Sequence, residues 1–221
     1  MTTYETTASH DKALTGRRSL LALAGAALFA TAVPWPAAAA AAPAAPIEQL
    51  DGALLATMKA GNGGRSFSTR YAALAPVIEQ VFDLRTVLAG SVGFSWPTLP
   101  PQEKTRLASA FLRYTVATYV ANFDSYNGQF FEIEPGVREV GNGEVVVRTR
   151  LMRRDRSPVV LDYVMRRGAA GWKAVDVLTD GSISRVAVQR SDFQELLASG
   201  GVPALAAGLE RKAANLSGGV A

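Results

Sequence analysis

Hydrophobic side chains recur at helical spacing over residues 47–126, switch to alternation over 129–182, and return to helical spacing over 183–216. A period near 3.6 marks amphipathic helices and a period of 2 marks strands, so this order predicts helices, then a sheet, then helices. The first helix, 47–60, puts Ile47, Leu50, Leu54, Leu55 and Met58 on one stripe and stops at Gly61-Asn62-Gly63-Gly64. That glycine cluster lacks the Lys-Ser/Thr of a phosphate loop and follows no strand, so it reads as a helix end. A second helix starts near Ser66 with Phe67, Tyr71 and Leu74 at helical spacing, and Pro76 is expected to bend or restart it. A third, 83–90, takes Asp83 as its cap and Leu84, Val87 and Leu88 as its apolar face. The longest, 101–126, opens on Pro101; between Leu107 and Phe123 only Ser109, Arg113, Thr115, Thr118 and Asn122 are plainly polar. A helix apolar around most of its circumference is buried on more than one side. Its aromatics, Phe111, Tyr114, Tyr119 and Phe123, fit either a packed core or the wall of a ligand site, and Gly128 is expected to stop it.

In the sheet region, residues 129–134 alternate, and Asn142-Gly143 is a hairpin signal between strands 137–140 and 144–152. Residues 158–182 read as two strands joined at 168–171. They carry apolar residues on alternate positions (Val159, Leu161, Tyr163, Met165, Trp172, Ala174) and again between them (Val160, Val164, Val175, Val177). A sheet wetted on one face alternates cleanly; apolar side chains on both faces predict that both are covered, one by the chain's own helices and the other by more protein or an apolar ligand. From residue 183 the helical period returns through Phe193, Leu196 and Leu197, breaks at Gly200-Gly201, and resumes over 202–216 with Leu205 and Leu209 inward. This is α+β, with helices segregated to one face of a curved antiparallel sheet.

Composition removes most catalytic options. The 221 residues, 48% hydrophobic, suit one domain with a sizeable core. There is no Cys, and the one His is His10, so residues beyond the N-terminal segment hold no thiolate, imidazole base or His/Cys metal site; no cofactor is expected. Residues 1–42 read as an export signal: Arg17 and Arg18, an apolar stretch over 20–33 and an Ala run over 37–42; the adjacent arginines suit the twin-arginine route as well as the general one. The apolar stretch is shorter than the ~20 residues a bilayer needs. Residues 43–46 are linker, and 47–217 form the single domain. Outside the signal, 20 basic and 17 acidic residues leave a net charge of +3, too small a bias to imply nucleic acid.

From about residue 82 to 209 the chain resembles the MlaC family of bacterial periplasmic phospholipid-binding proteins, also called the toluene-tolerance family. The resemblance rests on the order and extent of VLAGSVGFSWPTLPPQEKTRLASAFLRYTVATYVANFDSYNG, the LDYVMRR and GWKAVDVLTDGSIS strand pair, and the closing SDFQELLASGGVPAL. NFDSYNGQFFEI and LTDGSISRVAVQRSDF are most similar to the hopanoid-associated HpnM branch. The resemblance implies an NTF2-like fold whose sheet and helices enclose a deep apolar cavity. It also implies a soluble periplasmic carrier of phospholipid, or another two-chain or polycyclic lipid, between an outer-membrane lipoprotein complex and an inner-membrane ABC transporter. Carried over by position, Tyr119, Phe123, Tyr126, Leu161, Tyr163, Trp172, Val175 and Val177 are lipid-binding candidates, and Phe111, Tyr114 and Val147 stand beside them. The chain departs from the family in its Arg153-Arg154-Asp155-Arg156 and Arg166-Arg167 turns.

Two other readings stay open on the residues alone. An NTF2-like isomerase or dehydratase would use Asp162 or Asp176 with Tyr163 or Tyr114, although alternation sets Asp162 and Tyr163 on opposite faces. An interaction module would use the arginine turns to dock an acidic partner.

Overall fold

A computed structural model describes residues 42–154 and 156–218; the stretch 1–42 read as an export signal, with His10, lies outside the described residues except for its last residue. The helices start on the chemistry the sequence supplies. Pro46 sits in the first turn of α1 (Ala45–Asn62), which therefore begins inside the stretch read as linker. Ser66 caps α2 (Phe67–Val81) by accepting from the Thr69 amide, and the helix runs on through Pro76. Asp83 caps α3 (Leu84–Val92) through the Thr86 amide at 3.0 Å.

The helix α4 (Pro101–Asn122) ends four residues earlier than periodicity predicts. The cause is a contact with the far end of α1. Asn62 clamps the backbone of Tyr126, accepting from its amide at 3.0 Å and donating to its carbonyl at 2.5 Å. The Asp124 carbonyl also lies so close to Gly61 that a Cβ there would meet it at 1.8 Å. Gly61 is thus a point of close chain approach.

After α4 come β1 (Phe130–Ile133), β2 (Arg138–Gly141), β3 (Glu144–Arg153), β4 (Arg156–Gly168), β5 (Gly171–Thr179) and β6 (Ile183–Ser184), all antiparallel, in the order β1-β3-β4-β5-β6 with β2 also on β3. Asn142 and Gly143 both have positive φ, as the two-residue hairpin requires. Residues 183–184, read as helix, pair with β5 instead. The last element, α5 (Arg185–Leu216), breaks at Gly200 and Gly201; the φ of Gly201, 63° with ψ −155°, is open to glycine alone.

Two cores flank α4. Its Val116 and Val120 pack with Leu50 and Leu54 of α1, Ile78 of α2, and Val147, Tyr163 and Met165 of the sheet. Its Leu107 and Phe111 pack with Leu88 of α3 and with Phe193, Leu205 and Leu209 of α5, Phe111 meeting Phe193 edge-on at 6.2 Å. This double burial is what an all-round apolar helix requires.

The opposite face of the sheet is covered differently from the expectation. Near β5, Val175 and Leu178 border a shallow groove with Thr86 and Gly90 of α3 and Val186 of α5. Farther out, cross-strand ion pairs lie over the apolar residues: Arg148 faces Asp162, Arg166 faces Glu144, and Arg150 reaches Glu134. The aliphatic stems of these arginines provide cover while their heads stay wet.

Asp162 carries the strongest of these pairs. Its carboxylate is fully buried and accepts from Arg148 Nε at 2.6 Å and Nη2 at 2.8 Å, with Arg138 at 3.4 Å. The Arg148 hydrogen bonds hold its pKa below the usual carboxylate value, outweighing burial. A depressed carboxylate stabilises the fold above the unfolded value near ~3.9, and that contribution is lost as pH falls through the folded value. Asp162→Ala is therefore expected to cost about 2 kcal/mol in urea unfolding at pH 7, with the ionic part of the gap closing below about pH 4.

Candidate functional site

Between the inner face of the sheet and α4 lies a cavity of about 500 Å³, within the ordinary size range of ligand sites and open to solvent on one side. Register builds its floor. Leu161 pairs Thr149 on one side and Thr179 on the other, Tyr163 pairs Val147 and Val177, and Val159 pairs Leu151, so residues two apart on β4 present one continuous surface. The wall is the face of α4 that carries Phe111, Tyr114, Thr115, Thr118, Tyr119 and Asn122, which recur at three- and four-residue steps. Phe82, Leu84 and Val87, from the α2–α3 junction, close one end, held there by the Asp83 amide on the Ala174 carbonyl at 2.9 Å.

Aromatic rings run in sequence along this space. Tyr163 lies 6.4 Å from Phe82, Phe82 lies 5.7 Å from Tyr119, Tyr119 stacks on Phe123 at 6.1 Å, and Phe123 meets Phe131 at 6.2 Å. Burial pushes the hydroxyls of Tyr119 and Tyr163 above their usual range; at Tyr119 the charge of Arg185 pulls partway back. Both tyrosines are therefore neutral at physiological pH. Thr115 Oγ1 is buried in the wall without a hydrogen-bond partner. Ser125, Gln129, Arg153, Arg156, Arg185 and Gln189 also line the cavity.

Of the residues singled out from sequence, Phe111, Tyr114, Tyr119, Phe123, Leu161, Tyr163 and Val177 meet at this cavity. The other four do not. Tyr126 leaves the helix at the Asn62 clamp and its ring lies under Lys59 Nζ at 5.1 Å. Val147 and Trp172 belong to the packed core beside the cavity. Val175 faces the outer groove, because a bulge sets both it and Asp176 against Val164. Phe82, Leu84, Leu151 and Thr179 line the cavity and were not singled out. Alternation from Leu161 could have found Thr179, its neighbour in register; the position of Phe82 depends on a bridge to Ala174 that no local pattern announces.

Both aspartates, Asp162 and Asp176, are engaged by structural partners. Asp162 is on the outer face in its arginine pair, remote from Tyr163 on the inner face. Asp176 reaches the cavity edge, but Oδ1 accepts from the amides of Val177 and Val186 at 2.7 and 3.1 Å and Oδ2 accepts from the Ser184 hydroxyl, which fixes the turn into α5.

Among the described residues, no helix is long and apolar enough to cross a membrane. No curated protein matches the chain significantly. The fold is similar to that of a phospholipid-binding protein from Ralstonia solanacearum solved in complex with a phospholipid, with a TM-score of 0.68 and 22% identity over 80% of this chain and 99% of that one. The family model described as MlaC protein matches residues 48–211, most of the chain and every element from α1 to the last turns of α5, so this chain belongs to the MlaC family.

Proposed function

We propose that this protein is a periplasmic lipid carrier that takes the acyl chains of a phospholipid, or of a hopanoid-type lipid, into the cavity between α4 and the sheet. The observation that carries the reading is the cavity itself, floored by Val159, Leu161, Tyr163 and Val177 and walled by the aromatic face of α4, in a chain of the MlaC family. Each methylene buried from water is worth roughly 0.8 kcal/mol, so a two-chain lipid does not cross an aqueous gap alone. Relative to a bilayer, an apolar cavity offers the chains nearly the same environment, so loading and unloading are close to neutral and need no catalytic group. The similarity of NFDSYNGQFFEI and LTDGSISRVAVQRSDF to the HpnM branch favours a hopanoid-linked role within the family. The partners that fit such a carrier are an outer-membrane lipoprotein complex and an inner-membrane ABC transporter.

Native mass spectrometry of protein purified from its own periplasm tests the reading. The expected result is one lipid mass bound per chain, chemically unchanged after prolonged incubation. Protein that carries no lipid, or that converts the lipid it carries, would overturn it.

A further inference from the structure

Tyr119 and Tyr163, which line the cavity from α4 and from β4, make no hydrogen bond among the described residues. Their rings flank Phe82 at 5.7 and 6.4 Å, and they lie close enough that a charge on Tyr119 would be felt at Tyr163. Burial keeps both protonated, so each presents an O–H donor. Thr115, one turn before Tyr119 on the same face of α4, adds a buried hydroxyl that also lacks a partner. A hydroxyl taken out of water without a hydrogen bond costs free energy, and buried polar groups are bonded as a rule. In a largely apolar cavity, a few such groups are what orients a bound molecule.

The chain's own acceptors leave these hydroxyls unserved. Asp51 is the carboxylate whose charge reaches both tyrosines, yet neither of its oxygens accepts a hydrogen bond. Asp176 lines the cavity, but its oxygens are taken up by Val177, Val186 and Ser184. Arg185, also in the lining, is near enough for its charge to act on Tyr119. A cation and a carboxylate thus act on the same hydroxyl in opposite senses. The group that suits neutral O–H donors there is an uncharged oxygen, an ester carbonyl or a hydroxyl.

We propose that the Tyr119 and Tyr163 hydroxyls, with Thr115 beside them, form a hydrogen-bonding subsite that selects lipids bearing an uncharged oxygen acceptor over lipids that lack one. The proposal rests on the carrier reading above. Two kinds of lipid supply such an oxygen: a diacyl lipid through its ester carbonyls, and a polycyclic lipid through a ring hydroxyl.

The test loads delipidated protein from two kinds of vesicle, repurifies it, and quantifies the extracted lipids by mass spectrometry. The first vesicle holds equimolar diester and diether phosphatidylglycerol of one chain length, which differ only in that a methylene replaces each carbonyl. The second holds equimolar cholestanol and cholestane in diether phosphatidylglycerol, which differ by one hydroxyl. Wild type is expected to take the oxygen-bearing lipid about fivefold over its partner in at least one arm, the gain of one net hydrogen bond, and the arm that shows it names the source. The ratio is expected to be equal at 0.1 and 1 M salt, because no charge is read. In Tyr119→Phe/Tyr163→Phe, which keeps both rings, the ratio is expected to fall towards one, while Tyr126→Phe, outside the cavity, keeps the wild-type ratio. Without lipid the double variant is expected to melt no lower than wild type, since the fold loses no hydrogen bond. The subsite is overturned, and the carrier reading left standing, by a wild-type ratio of one in both arms, by a preference that survives in the double variant or vanishes at 1 M salt, or by a delipidated double variant that melts below wild type. Wild type that takes up no lipid from either vesicle overturns both.

Discussion

Leu161→Glu is expected to give a folded protein that no longer carries lipid through purification, while Met165→Glu, four residues along the same strand and face, is expected not to fold. The two positions differ in what lies above them. Met165 is fully buried in the close-packed core between the sheet and the helices, so a carboxylate there has neither water nor a partner; a loss of more than about 4 kcal/mol is expected. Leu161 is half-buried and fronts the cavity between Thr149 and Thr179. Water can enter that space when lipid leaves, so the carboxylate is hydrated and the fold loses about 1–2 kcal/mol. Acyl chains cannot share the space with a hydrated charge. Val175→Glu, on the outer groove, is expected to keep lipid whatever it costs in stability. Circular dichroism melting and lipid extraction on the three variants check this, and a folded Leu161→Glu protein with full lipid occupancy would remove the cavity from the binding reaction.

The contrast between Leu161 and Val175 also marks where sequence reasoning reached its limit. Alternation identifies Leu161 and Tyr163 as sharing a face, and the register confirms it because β4 is regular there. On β5 strict alternation would send Ala174 and Val177 to opposite faces. The bulge opposite Val164 inserts one residue, so Ala174 and Val177 both pack in the inner core and Val175 is turned outward. A one-residue irregularity of this kind leaves no mark in a hydrophobic pattern, since valine suits either face. The end of α4 is a second case: the periodicity continues through Tyr126, but the Asn62 clamp, made 64 residues away in sequence, stops the helix at Asn122. Where local chemistry alone decides, as at the Ser66 and Asp83 caps and the Asn142-Gly143 turn, the sequence was sufficient.

Asp51 is expected to make the protein less stable as pH rises from about 4 to about 7. It lies on the inward side of α1, beside the stripe of Ile47, Leu50 and Leu54, with 5% of its surface exposed and no hydrogen-bond partner for either carboxylate oxygen. Burial, and secondly the charge of Glu48 one turn earlier, push its pKa up to about 7. The unfolded chain gives up this proton near ~3.9, so between the two values the folded state binds more protons than the unfolded one. Stability then falls with rising pH across that window and levels off above it, by a total on the order of 3–4 kcal/mol. Asp51→Asn removes the ionisation and keeps the shape. Urea unfolding is expected to find wild type and variant within about 1 kcal/mol of each other at pH 4, and the variant more stable by about 4 kcal/mol at pH 8. The charge of Asp51 also adds to the upward push that burial exerts on Tyr119 and Tyr163, so its protonation keeps a negative charge away from the cavity wall. A wild-type protein that gains stability over Asp51→Asn as pH rises would mean that the carboxylate is stabilised in its ionised form, and the reading of α1 as a helix buried against an uncharged interior would fail with it.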